Sequence, residues 1–155
     1  MPEAEQPAFD LGPDPSCTFC RVVVGDLHAT VVASTEHSVA FLDHRPLFEG
    51  HTLVVPRAHV ETLRDLTPSL RDELFAQTQA LAAAVQDAMH AQGSFVAMNN
   101  VVSQSVPHAH VHVVPRNRKD GLRGFFWPRG RYEDDAAMAA CAAAIRGALA
   151  NDATM

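Results

Sequence analysis

The run His108-Ala109-His110-Val111-His112-Val113-Val114 restricts the fold of this chain more than any other stretch. A β-strand turns successive side chains to opposite faces. The spacing therefore predicts a strand with three imidazoles on one face and Ala109, Val111 and Val113 on the other. The small and β-branched set belongs against a core. The histidine set must satisfy two ring nitrogens per residue wherever it is buried, and a surface strand has no use for a row of titratable rings. Nine histidines in the chain make a chance run the plain alternative. An active-site strand is the reading that explains the alternation.

The remaining chain supplies elements for that strand to join. Residues 1–16 carry four prolines, acidic residues and no apolar periodicity, which predicts a disordered tail ahead of a single domain over 17–155. Cys17-Thr18-Phe19-Cys20 opens a short helical turn that Gly25-Asp26 breaks. Residues 30–33 and 38–42 read as a hairpin, and 51–55 as a β-branched strand ending at Pro56. Thr67 suits a helix N-cap and Pro68 the first helical position. Leu70, Leu74, Leu81, Val85 and Met89 then recur at helical spacing, with Gly93 expected just past the end. Residues 94–99 read as a strand running into a polar turn before the histidines. Glu133, Asp134 and Asp135 suit the positive end of a last helix, whose apolar stripe is Met138, Ala142, Ile145 and Leu149. Cys141 beside that stripe reads as a small buried residue. Neighbouring short strands with separate helices predict an α+β fold: a mainly antiparallel sheet of about five strands, one long central helix and a C-terminal helix.

Several function classes are disfavoured by the totals. No apolar run approaches the roughly 20 residues of a membrane span, and the opening Met-Pro-Glu-Ala-Glu lacks the apolar segment of a secretory signal. Three unevenly spread cysteines argue against a disulfide framework and for a reducing compartment, so a cytoplasmic location is expected. A formal net charge of −6 disfavours nucleic-acid binding through the whole surface. Within that acidic average, residues 116–131 hold Arg116, Arg118, Lys119, Arg123, Arg129 and Arg131 against Asp120 alone. Such a stretch suits a small anionic ligand as well as a solvated loop.

Neutral imidazole is a nucleophile and titrates near neutral pH, so a cluster can divide the work of nucleophile, acid and anion binder. Attack of one ring on phosphorus competes with coordination of a catalytic metal. Rings at i and i+4 of a strand have Cα atoms roughly 13 Å apart, so three cannot converge on one ion without a bend. No carboxylate adjoins the run in the sequence to serve a metal-bound water. Attack on phosphorus is favoured, with no catalytic metal or organic cofactor.

The same residues carry a family resemblance. His108-Ala109-His110-Val111-His112-Val113-Val114 resembles the histidine-triad (HIT) motif, and Ala40-Phe41-Leu42-Asp43 and Gly50-His51-Thr52-Leu53-Val54-Val55-Pro56-Arg57-Ala58-His59 resemble that family's upstream signature. The similarity extends over residues 17–127. It implies a HIT-like α+β homodimer that hydrolyses or transfers nucleotides at the α-phosphate. Position by position, it implies His110 as nucleophile forming a nucleotidyl-histidine intermediate, His108 as its orienting partner and His112 as a phosphate contact. Gln104 and Ser105 match positions that bond phosphate or protonate the leaving group, Asn99 a weaker contact there, and His51 a fourth histidine near the triad. Asp43 matches the acid that bonds ribose hydroxyls, with a plain turn residue as its alternative. Phe19, Val22 and Phe41 match the pocket for a purine base, with core packing as theirs. Trp127, in Gly124-Phe125-Phe126-Trp127-Pro128, resembles a C-terminal tryptophan reaching the partner subunit's site; a dimer-interface anchor is the alternative.

Cys17 and Cys20 form half of a structural zinc site by spacing. Family members of the bacterial type with this pair bind zinc through it and two histidines, and the matching positions here are His59 and His108. A structural zinc is therefore expected, with His108 serving both the metal and His110. One departure stands out. Asn99-Asn100-Val101-Val102-Ser103-Gln104 replaces a glycine-containing turn and has no glycine, so the phosphate cradle is expected to be altered. The resemblance points to a phosphohydrolase acting on nucleoside phosphoramidates or dinucleoside polyphosphates. A nucleotidyl transferase or phosphorylase is the nearest alternative, and a nucleotide-binding interaction protein with incidental turnover the more distant one.

Overall fold

The alternation at the histidines does build a sheet, with helices on both of its faces. The computed structural model describes residues 12–122 and 130–152, which divide into two compact units, Met1–Asp120 and Gly121–Met155. Trp127, Arg123 and Arg129, and the greater part of the expected N-terminal tail, lie outside the described residues.

In the first unit, α1 (Thr18–Val23) precedes β1 (Val31–Ser34), β2 (Ser38–Leu42), β3 (Thr52–Pro56), α2 (Pro68–Ala88), β4 (Gly93–Ala97) and β5 (Val111–Arg116). The strands form one antiparallel sheet in the order β1-β2-β3-β5-β4. β1 and β2 are the expected hairpin, closed by Thr35, whose hydroxyl accepts the Ser38 amide at 3.0 Å. Alternation then sorts the faces. Val39, Phe41, Leu53 and Val55 meet Phe19, Cys20 and Val22 of α1 on one side. Ala40, Val54, Val111 and Val113 meet Leu74, Leu81 and Val85 of α2 on the other. Because both faces are covered, β3 is buried along its whole length.

Thr67 caps α2, accepting the Leu70 amide at 3.3 Å, and Pro68 occupies its first turn. The C-terminal end corrects the expectation for Gly93. The helix stops at Ala88, His90 takes the left-handed conformation at φ 50°, and Gly93 opens β4 instead. Histidine tolerates that region better than most side chains, so no glycine is needed. Met89 is the cap residue and is largely exposed rather than part of the buried stripe.

The histidine strand also starts later than the alternation implies. β5 begins at Val111, and residues 108–110, which follow a bend ending at His108, form a lead-in outside the strand. The β3–β5 ladder stops at Val54 opposite Val111, although β3 itself runs on to Pro56 against β2. Beyond it the Ala109 amide donates to Val60 O at 2.7 Å, a loop carbonyl. The facing pattern survives: Ala109 is fully buried, and Val111 and Val113 are buried against α2.

The second unit contains α3 (Asp135–Asp152), preceded by Asp134, whose carboxylate accepts the Ala137 amide at 2.7 Å. Its stripe is exposed, Met138 by 49%, Ile145 by 58% and Leu149 by 63%. Cys141 is half-buried, not buried, and lies 3.8 Å from the Tyr132 hydroxyl. No helix among the described residues is long and apolar enough to cross a membrane.

Candidate active site

The lead-in and β5 send their three imidazoles along one face, but not to one place. His108 turns toward α1, with Nδ1 at 3.4 Å from Cys17 Sγ and 3.5 Å from Cys20 Sγ. His59 joins from the chain beyond β3, its Nδ1 at 3.2 Å from Cys20 Sγ. His108 Nε2–H donates to Pro56 O at 2.8 Å, which leaves the Nδ1 lone pair facing the sulfurs. The four ligand atoms lie within 4.8 Å of one another. Zn–S and Zn–N bonds of ~2.3 and ~2.05 Å at tetrahedral angles separate S from N by about 3.5 Å, so the donor set fits zinc with little movement. Burial raises the Cys20 thiol to about 11, a shift that a bound cation would reverse.

His110 is held by the same residue. Its Nδ1–H donates to the His108 carbonyl at 2.6 Å, so Nε2 carries the free lone pair. His108 therefore serves both groups, through its ring to the thiols and through its backbone to His110. His112 lies beside His110, ring centroids 5.0 Å apart, and its Nδ1 is 2.9 Å from His51 Nε2. His51, at the entry to β3, is buried, accepts the Leu47 amide on Nδ1 at 3.1 Å, and has Asp43 Oδ2 at 3.8 Å from Nε2. A carboxylate thus reaches the cluster from the end of β2, although none adjoins the histidines in sequence. Burial lowers the pKa of His51, His110 and His112, that of His112 to about 4 with help from the neighbouring His110 and His51. All three rings are neutral at neutral pH.

His110 and His112 open onto a cavity of about 510 Å³ walled by Phe19, Val22 and Phe41, with Asp43 and Ser105 at its rim. Phe19 packs edge-on against Phe41 at 5.5 Å and against the His110 ring at 5.0 Å. These aromatics are core and cavity wall at once, so the two alternatives read from sequence do not exclude each other. A larger cavity of about 620 Å³ on the α2 face is lined mainly by aliphatic residues and holds neither His110 nor His112.

Gln104 and Asn99 are not brought to this cavity. The Gln104 amide donates to Glu61 O at 2.6 Å and accepts the Val101 amide at 2.8 Å, and exposed Asn99 donates to Ser103 O at 3.3 Å. Asn99 is spent on the turn itself, and Gln104 on the turn and its tie to Glu61. That turn takes left-handed φ at Val101 (66°) and Ser103 (61°), where glycine would be unstrained. Sequence reasoning missed the backbone groups that orient the rings, namely the Leu47 amide and the Pro56 and Val60 carbonyls. A main-chain group carries no side-chain signature, so nothing local could have revealed them.

Comparison with known proteins bears on the chemistry of this site. A model of the HIT domain matches residues 24–119. Adenosine 5'-monophosphoramidase hnt1 of Schizosaccharomyces pombe is 35% identical over 115 residues, spanning 73% of this chain and 84% of that protein. The asymmetrical bis(5'-nucleosyl)-tetraphosphatase of the same organism is 36% identical over 104 residues, 66% of this chain and 56% of that one. A Zn-bound histidine triad family protein from Mycobacterium smegmatis superposes with a TM-score of 0.66 at 37% identity, covering 83% of this chain and 97% of its own.

Proposed function

The chain belongs to the HIT domain family, and from that premise we propose that it is a nucleotide phosphohydrolase working at the α-phosphate of a nucleoside phosphoramidate or dinucleoside polyphosphate. The observation that carries this reading is the His110 ring. Its Nδ1–H is tied to the His108 carbonyl and its ring opens on the cavity walled by Phe19, Val22 and Phe41, so an unprotonated nitrogen is available as nucleophile. A purine base fits between Phe19, Val22 and Phe41, with Asp43 at the rim for the ribose hydroxyls. Nε2 of His110 attacks the α-phosphorus, forming a P–N bond as the bond to the leaving group breaks, and that group takes a proton from solvent, which the attacking water of the second step returns. Water then cleaves the P–N bond, releasing the nucleoside monophosphate and freeing His110. His112 donates to a phosphate oxygen, a preorganised contact of the kind that counts most where charge develops. Ser105 lines the same cavity and is the side chain we assign to the leaving group.

Cys17, Cys20, His59 and His108 would hold zinc as a closed four-ligand set, which supplies structural cohesion and leaves no position for substrate. A homodimer is compatible with the sheet, in which β4 is the last strand in the order among the described residues. The phosphoramidase and tetraphosphatase names of the relatives support the hydrolase class and leave both substrate types in play.

The test is a turnover screen of wild type and His110→Ala on adenosine phosphoramidates, adenylylated lysine and diadenosine polyphosphates, with acid quench to trap nucleotidyl-enzyme. Wild type should accumulate the adduct on at least one substrate, and His110→Ala should lose turnover by at least about a thousandfold, the scale seen when a nucleophile is removed. Full activity in His110→Ala together with no trapped adduct would sink the mechanism.

A further inference from the structure

The cavity of about 620 Å³ on the α2 face takes no part in the chemistry at His110, yet it has the volume of a small-molecule site. Val32 of β1, Leu42 of β2, and Leu81, Ala84 and Val85 of α2 make it an aliphatic trough. Val32 and Leu42 are exposed, so apolar surface stands in water there. At one end the β2–β3 loop meets the residue that caps α2: a Cβ on Gly50 would stand 2.6 Å from Met89 Cγ. Val32, Leu81 and Ala84 also line a second cavity of about 460 Å³, which extends the apolar wall along α2.

The charged groups that line the trough are of one sign. Asp43 and Glu49 belong to its loop end, and neither Lys nor Arg lines it. The Asp43 amide donates to His51 O at 2.9 Å, which fixes the base of that loop. Among the described residues, the His44 and His51 rings lie within ion-pair distance of the Asp43 carboxylate, and no lysine or arginine does. We propose that the trough is a binding site for an amphiphilic amine: the hydrocarbon chain lies along Val32, Leu81 and Ala84, and the ammonium sits between Asp43 and Glu49. Hydrocarbon burial supplies the affinity, and the two carboxylates select the head group, since an anion there would meet like charge. Asp43 also lines the cavity at His110, so amine and nucleotide share one carboxylate. An ammonium that draws Asp43 toward α2 takes it from the ribose hydroxyls. That coupling rests on the phosphohydrolase reading, whereas the amine site does not.

The experiment is calorimetric titration of the zinc-loaded, full-length protein near neutral pH with octylamine, octanol and octanoate, which share a chain and differ in charge. Octylamine should bind once per chain, octanol at least about tenfold more weakly, as loss of a charged hydrogen bond does, and octanoate not measurably. Butylamine should bind more weakly than octylamine by roughly fourfold for each methylene removed. Glu49→Gln should bring octylamine close to octanol. Ala84→Phe, which fills the trough from an exposed helix position, should abolish binding, and Ala83→Phe, on α2 but outside the lining, should retain it. Where Ala84→Phe lowers Tm, the loop variant Glu49→Gln carries the test. Saturating octylamine should weaken binding of adenosine monophosphate by a few fold. Equal affinity for the three head groups, or an octylamine affinity unmoved by both Glu49→Gln and Ala84→Phe, overturns the site. So does an octylamine affinity that falls as protein concentration rises, which would assign the trough to a second copy of the chain. Adenosine monophosphate binding indifferent to octylamine overturns the shared use of Asp43. Octylamine bound selectively by a protein that binds and turns over no nucleotide would uphold the amine site and remove the phosphohydrolase reading instead.

Discussion

His112 and His51 are buried imidazoles that the fold holds neutral, and this ties stability to pH. The folded pKa of His112 is about 4, against roughly 6.5 in an unfolded chain, and that of His51 is also lowered. Above the unfolded value neither state binds a proton there, and the stability is fully present. As pH falls below about 6.5 the unfolded chain takes up protons that the folded one refuses, so stability is lost progressively down to about 4. The urea midpoint should therefore be lower at pH 5 than at pH 7.5 with little change in slope, and His112→Asn should flatten the dependence. An equal midpoint at both pH values would show these rings already charged in the fold. At this scale the sequence was most informative about His110, because a run of alternating histidines has few other uses. That His108 orients His110 came only through the family resemblance, since the carbonyl that does so belongs to the main chain and leaves no mark in the side-chain pattern.

Elements differ in how openly the sequence displays them. α2 was legible from Thr67, Pro68 and the 3–4 spacing of its leucines, since cap and stripe both act within a few residues. The β1–β2 hairpin was legible from its β-branched runs and polar turn. The lead-in at residues 108–110 was not, because its amide partner is Val60 O, some fifty positions away. The glycine-free turn before it holds the most direct test at this scale. Val101 is 76% exposed with φ 66°, a conformation costing a β-branched residue about 1–3 kcal/mol. Glycine removes that strain but adds roughly 0.5–1 kcal/mol of chain entropy, and little burial is lost. Val101→Gly should thus raise stability by about 1 kcal/mol, read as a higher urea midpoint at unchanged slope. Gly50→Ala should act oppositely. Its φ is 93° and a Cβ there would stand 2.6 Å from Met89 Cγ, so about 1–3 kcal/mol should be lost next to His51. If Val101→Gly were destabilising, the strained turn would have to be held by contacts of the valine side chain, which its exposure argues against.

At the scale of the whole first unit, the Cys17, Cys20, His59 and His108 cluster joins parts of the chain that the sheet alone does not. α1 packs on the sheet through Phe19, Cys20 and Val22, but the lead-in that carries His110 has no ladder partner. A metal bridging α1 to His108 would fix the residue whose carbonyl holds His110. Removal of the metal should therefore act on fold and activity together, and without a change in chemical step. Metal analysis of protein purified without chelator should give about one zinc per chain. Chelation should lower Tm, because an ion bound only by the folded state stabilises it by mass action. Cobalt in place of zinc should show the charge-transfer absorption of thiolate ligation while leaving kcat within about twofold, since a closed four-ligand site offers the substrate no position. Cys20→Ser should lose the metal and the Tm increment with it. Because burial, with the neighbouring Cys17 thiol, raises the Cys20 thiol to about 11, the apparent zinc affinity should also fall as pH is lowered, each thiol proton competing with the ion. A chain with both thiols reduced, no bound zinc and unchanged Tm under chelator would mean that packing alone holds the lead-in. The carbonyl of His108 would then keep His110 in register without help from any metal.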